Sequence, residues 1–285
     1  MTATITTVVS AQAARRTWRD IIGRHWHHDI ASFLRGLVLT ALLVLSGPSR
    51  VWADDVSVWI YHNYPPFIID IAEERGLSYD LARLLTDASD GAFQFNVMVL
   101  PRQRLNQRLG AGQPGLVMWV NPAWFGDTER TAFRWTDSIL SDRNVVISPM
   151  EAPFEYHGPR SLTGMTLVGV RGHRYQDVDG LVGDGLVERV DLRSERNLVQ
   201  FIASNRGRVA IVADSAVQYF VQDLALGDAV HVAEQPHSQY QRYILVQPQL
   251  SAAHDFLEEA VPVIMASPAW ADVVERYGLT VFAAP

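Results

Sequence analysis

Apolar and polar positions alternate from Val56 to Ile60 among β-rich residues, which predicts a strand. Tyr61-His62-Asn63-Tyr64-Pro65-Pro66-Phe67 follows as an aromatic turn stiffened by two prolines. From Ser78 to Ala88, Leu81, Leu84 and Leu85 recur at helical spacing, with Ser78 as the expected cap. A second strand is expected over Phe93 to Leu100. Arg102 to Leu109 then reads as a short basic helix, closed by Gly110 and Gly112. Leu116 to Val120 is a third strand, apolar throughout.

The pattern then restarts. A strand is predicted over Asn144 to Ser148, then a turn-rich break from Pro149 to Pro159, then a strand ending at Val170. Arg171 to Tyr175 is expected to open a helix, and Asn197 to Ala203 to form one. Arg208 to Ala213 reads as a strand delivering Asp214 into a helix over Ser215 to Leu224. A late strand spans Tyr243 to Val246. The stretch from Ser251 to Tyr277 reads as helical, with breaks at Pro262 and at Ser267-Pro268. Strands alternating with helices predict an α/β fold with largely parallel pairing.

The first fifty-odd residues do not fit that pattern. Arg15, Arg16, Arg19, Arg24 and Arg35 precede an apolar run from Gly36 to Leu45, and small Ala53 stands before Asp54-Asp55. Basic, apolar, small is the order of a secretory signal peptide, expected over 1–53. The run is about half of the roughly 20 residues a spanning helix needs, which disfavours the alternative of an uncleaved anchor. The cluster His25-Trp26-His27-His28 falls in this leader, so it is not read as a metal site.

Composition narrows the chemistry. The 285 residues carry 24 basic side chains, every one of them Arg, and no Cys. Absent Lys excludes Schiff-base catalysis and a P-loop lysine. Absent Cys excludes thiol catalysis, disulfides and a lipid-modified cysteine. Beyond the leader, 18 Arg face 29 carboxylates, a net charge of −11, which argues against nucleic acid as a partner. No hydrolase elbow and no His-Glu-x-x-His motif occurs, and the histidines are scattered, so no metal and no cofactor is expected.

Six segments, taken in order, resemble the family 3 periplasmic solute-binding proteins, the amino-acid-binding components of ABC importers. They are Tyr64-Pro-Pro-Phe67, Gly76-Leu-Ser-Tyr-Asp-Leu-Ala82, Glu129-Arg130 with Phe133-Arg-Trp-Thr136, Leu162 to Val170, Gly207 to Asp214, and Trp270 with Val273 to Gly278. The resemblance implies a two-lobe type II periplasmic binding protein with two crossing hinge strands. Lobe 1 would comprise 54–146 plus 244–285, and lobe 2 would comprise 147–243. Ligand would bind between them, and closure would be a hinge motion.

An amino acid needs a cation for its carboxylate and an anion for its ammonium. The resemblance assigns Arg130 to the carboxylate, where its planar fork suits two parallel hydrogen bonds. Spacing to Phe133 is one residue short of the family pattern, and the alternative is a surface Arg paired with Glu129 or Asp127. Asp214 is assigned to the ammonium, with a plain helix cap as its alternative. His173 and Arg174 replace the small hydroxyl residues usual after that strand, and predict an added charge contact or a solvated turn. Asn121 is the first polar side chain after the third strand. Trp119, Trp124, Phe125, Tyr64 and Phe67 suggest an aromatic wall, with at least two in the core and Trp119 and Tyr64 facing the cleft.

The reading is a periplasmic, monomeric protein without lipid anchor or catalytic residue. It would close around an amino acid or derivative and pass it to a membrane permease. The alternatives are a ligand sensor without transport and a dehydratase-like enzyme on the same fold.

Overall fold

The computed structural model describes residues 53–280. The leader expected over 1–53 lies outside them, save its last residue. Among the described residues no helix is long and apolar enough to cross a membrane.

Strand β1 (Asp54–Ile60) alternates as its pattern requires. Val56, Val58 and Ile60 enter one apolar cluster and Trp59 enters another on the opposite face. Its neighbours β2 (Phe93–Val99) and β3 (Leu116–Val120) both run parallel to it. Parallel neighbours need crossovers, which α1 (Leu77–Ala88) and α2 (Arg102–Gly110) supply. The second α/β pattern gives β4 (Arg134–Trp135), β5 (Leu140–Pro149), β6 (Thr166–Val170), α3 (Asp179–Gly183) and β7 (Glu188–Leu192). After these come α4 (Glu195–Ala203), β8 (Val209–Ala213), α5 (Asp214–Asp223), β9 (Val230–Val232), β10 (Ser238–Val246), α6 (Ser251–Met265) and α7 (Pro268–Arg276).

The sheet runs β2-β1-β3-β10-β5-β8-β6-β7, with β4 on β10 and β9 on β5. Two long antiparallel strands, β5 and β10, link its halves. Ser238 to Arg242 of β10 pair with Leu140 to Asn144 of β5, whereas Tyr243 to Val246 turn to β3 and β4. Beyond Leu140 to Asn144, β5 continues along β8. Both faces of each half are covered. One half packs Leu81, Leu257 and Trp270 on one side and Leu105 and Trp135 on the other. The second packs Leu198 and Phe220 on one side and Tyr156 and Tyr175 on the other.

Alternation breaks at one place. Met118 and Trp119 enter the same cluster, and the β3–β10 register shifts between Tyr243 and Leu245. This is a bulge. Trp119 takes a positive φ of 68° there, a strained value for a bulky side chain, and its carbonyl turns toward β10.

Several local expectations change. Helix α1 begins at Leu77 behind Gly76, and Ser78 does not cap it. The Ser78 hydroxyl is buried and accepts a hydrogen bond from Trp119 Nε1 at 2.9 Å. Helix α4 starts two residues earlier than predicted, because Ser194 caps it by accepting from the Asn197 amide. Residues 171–174 form a turn, and the next helix waits until Asp179. Pro262 does not end α6; it lies on the exposed side, where the carbonyl its ring leaves unbonded stays near water.

Gly76 sits at φ 135°, and a Cβ there would lie 2.6 Å from the Phe67 carbonyl oxygen. Gly76→Ala is therefore expected to destabilise the fold by more than about 1 kcal/mol, read as a lower urea midpoint with an unchanged m-value.

Candidate ligand cleft

Arg242 lies on the cluster-facing side of β10, in phase with buried Ile244 and Val246. Its side chain is 1% exposed and pairs with Asp142 of β5, whose side chain is 2% exposed. Nε and Nη2 donate to Asp142 Oδ2 at 2.9 and 2.7 Å. Nη2 also donates to the Tyr240 hydroxyl at 3.2 Å, and Nη1 to the Trp119 carbonyl at 2.9 Å. The remaining Nη1 contact is to His62 Nε2 at 3.4 Å. Arginine only donates, so that ring nitrogen must be the unprotonated acceptor. Burial pushes the His62 pKa well down, and the Arg242 charge adds to it, in agreement. The guanidinium also lies 4.6 Å from the Phe67 ring, 5.1 Å from Tyr240 and 5.5 Å from Trp124. The bulge at Trp119 thus serves the cation: it aims a carbonyl that a regular strand would spend on the ladder.

Asp142 is saturated. Beyond Arg242 it accepts from the Arg143 amide, the Ser215 amide and the Ser215 hydroxyl. Ser215 lies in the first turn of α5, so the pair ties that helix to both linking strands.

Around this pair the two halves converge. Tyr64 packs against the apolar clusters of both. Burial raises its phenol pKa, with Arg242, Glu195 and Asp142 all acting on it. Glu195, first residue of α4, is buried, and burial pushes its carboxyl up. His173 Nε2 lies 3.4 Å from Glu195 Oε1, and burial followed by the Arg189 charge lowers the imidazole pKa.

The anticipated residues are placed as follows. Tyr64 and Phe67 line this region, Phe67 with one face on Arg242 and its other contacts in the core. Trp119 is fully buried, hydrogen-bonded to Ser78 and stacked on Trp270 at 6.4 Å, so it stands in the core and not on a cleft wall. Asn121 caps the turn Pro122–Phe125 and donates to the Gln241 carbonyl at 2.9 Å, joining β3 to β10. Arg130 is exposed, with its guanidinium 4.6 Å from the Tyr243 ring. Tyr243 is out of phase with Arg242 on β10, so Arg130 sits behind the sheet. Its loop hangs on Asp127, whose carboxylate accepts from three amides and Trp135 Nε1. Asp214 is 3% exposed and accepts from Arg143 Nε at 2.7 Å, not from Arg130. His173 reaches Glu195, and Arg174 is exposed in the same turn.

Sequence reasoning missed His62, Asp142, Arg143, Glu195, Tyr240 and Arg242. Arg242 left a trace: a cation at an inward position of a strand whose next inward residues are Ile244 and Val246. Glu195 left none beyond its place in a first helical turn. Among the described residues the scattered-histidine reading has one exception, on α6, where His254, Asp255 and Glu258 have ligand atoms within 4.8 Å of one another.

No family model and no curated protein sequence matches the chain. Solved structures do. An ancestral arginine-binding protein bound to arginine is 14% identical, with TM-score 0.61 over 79% of this chain and 99% of that one. The GluR0 ligand-binding core with L-glutamate is 13% identical, with TM-score 0.60 over 79% and 98%. The substrate-binding protein of an amino acid ABC transporter is 14% identical, with TM-score 0.56 over 78% and 98%. The chain has the fold of the two-lobe type II periplasmic binding proteins.

Asp142→Ala leaves Arg242 buried and unpaired, and is expected to cost about 3–5 kcal/mol in denaturant unfolding. His62 and His173 have folded pKa values below their unfolded value of 6.5. The unfolded chain therefore binds more protons on acidification, and the stability these neutral rings contribute above pH 6.5 is lost below it. Melting temperature should fall from pH 6.5 toward about 5, and His62→Gln should flatten that slope.

Proposed function

We propose that this protein is an exported, non-enzymatic binding protein that closes around an amino-acid-like ligand and passes it to a membrane importer. One observation carries the reading: Tyr64 touches the cores of both halves, beside a buried acid and a histidine. A zwitterion held between two halves needs contacts from both, and an acid for its ammonium. The named partners of the similar structures, arginine, L-glutamate and an amino acid transporter, support the ligand class and its delivery.

In this reading the lobes are 54–146 plus 244–285 and 147–243, and β5 and β10 form the hinge. Glu195 receives the ligand's ammonium. Arg143 and Arg174 supply the positive side for its carboxylate, with Asp214 holding Arg143 in orientation and neutral His173 lying alongside. Tyr64 covers the ligand from the first lobe. Closure follows from differential affinity, because a ligand touching both lobes favours the state in which both are near.

Calorimetry and thermal-shift titration against the amino acids check this. One or a few should bind saturably and raise the melting temperature. Glu195→Gln should weaken that binding by about tenfold or more. A folded protein that no amino acid stabilises overturns the reading.

A further inference from the structure

Arg242 fills surroundings whose chemistry suits a guanidinium. Each of the five N–H donors of Arg242 has a partner: two on Asp142, one on the Trp119 carbonyl, one on Tyr240 and one on His62. Phe67, Tyr240 and Trp124 surround the same group within 5.5 Å. A carboxylate, a carbonyl and ring faces are the chemistry that holds a guanidinium out of water. Here the cation arrives on the chain itself, on a strand that links the two halves.

Asp142 is committed to Arg242, and Asp214 to Arg143 at 2.7 Å. Glu195 Oε1 lies 3.4 Å from Nε2 of His173, a ring that burial keeps neutral, and Glu195 has no arginine partner among the described residues. A zwitterionic amino acid brings one ammonium and needs one anion. Arginine or lysine brings two cations and needs two. The cleft keeps one carboxylate for an incoming cation.

We infer that Arg242 is a tethered cation occupying the guanidinium cage, so that the cleft selects amino acids with neutral or acidic side chains and excludes cationic ones. The ligand class rests on the cleft reading above; the occupancy of the cage by Arg242 does not. A free guanidinium competes poorly, because the tethered group is held at high effective concentration beside Asp142. Removing it should leave a cavity with a carboxylate on one side and ring faces on the others.

The test is thermal-shift and calorimetric titration of the full chain and of Arg242→Ala, with millimolar methylguanidinium, L-arginine, and sodium chloride at matched ionic strength. The wild-type protein should show no saturable response to methylguanidinium or arginine. Arg242→Ala should be stabilised by methylguanidinium, saturably and by several degrees, and not by sodium chloride. Should the variant not fold alone, it is refolded with and without methylguanidinium; recovery only with it supports the inference, and no recovery with either counts against it. Saturable binding of arginine or methylguanidinium by the wild-type protein overturns the inference and leaves the cleft reading standing. A folded variant indifferent to methylguanidinium also overturns it. If methylguanidinium rescues the variant but the wild-type protein takes no amino acid, the tethered cation stands and the cleft reading fails.

Discussion

Two charges buried together, Arg242 and Asp142, set the terms for the surrounding structure. A guanidinium taken out of water must find a partner for every donor, or the chain does not hold it there. Meeting that demand explains features that are otherwise unrelated. The bulge at Trp119 turns a carbonyl toward the cation, and the strained φ of 68° is maintained by the contacts it permits. His62 is kept unprotonated so that it can accept. Phe67 of the aromatic turn presents its ring 4.6 Å from the cation. Ser215 fixes the start of α5 to the same carboxylate. Such a pair is weak as net stabilisation, since well-packed apolar side chains often do as well. What it contributes here is definition: it sets how β5 and β10 lie against β3 and α5.

That definition bears on function because β5 and β10 are the strands on which the halves meet. A hinge that closes on a ligand needs a fixed geometry near its axis and adjustable contacts farther out. In the proposed reading Arg242 and Asp142 supply the fixed part. Tyr64, His173 and Glu195 lie beyond it with unequal burial and partly unspent charge. The same pair also subtracts from the chemistry offered to a ligand. Aromatic faces and an acid ordinarily suit a cation, and here Arg242 has taken them.

The solved structures similar to this chain are 13–14% identical to it, and that likeness speaks for the path of the backbone. Contents of the cleft have to be read from this chain's own side chains. The motif arginine shows why. Arg130 follows Glu129 as the resemblance leads one to expect, yet the loop tied to Asp127 turns its guanidinium onto Tyr243. Arg143 meets Asp214 instead, from a linking strand that carries no motif.

Most elements were legible in the sequence because they depend on short-range periodicity. Strand β1 alternates, α1 repeats its leucines at helical spacing, and β8 delivers Asp214 to a helix start. Each of these follows from one segment needing to bury one face. The misses at Ser78, Trp119 and Pro262 share a cause: a side chain's role was decided by a partner distant in sequence, or by which side met water. By itself the sequence determined the alternation of strands and helices, and so the α/β fold. Tertiary structure alone decided which arginine meets which acid. Arg242 and Asp142 are separated by a hundred residues, and burial makes pairing obligatory only once the strands have come together.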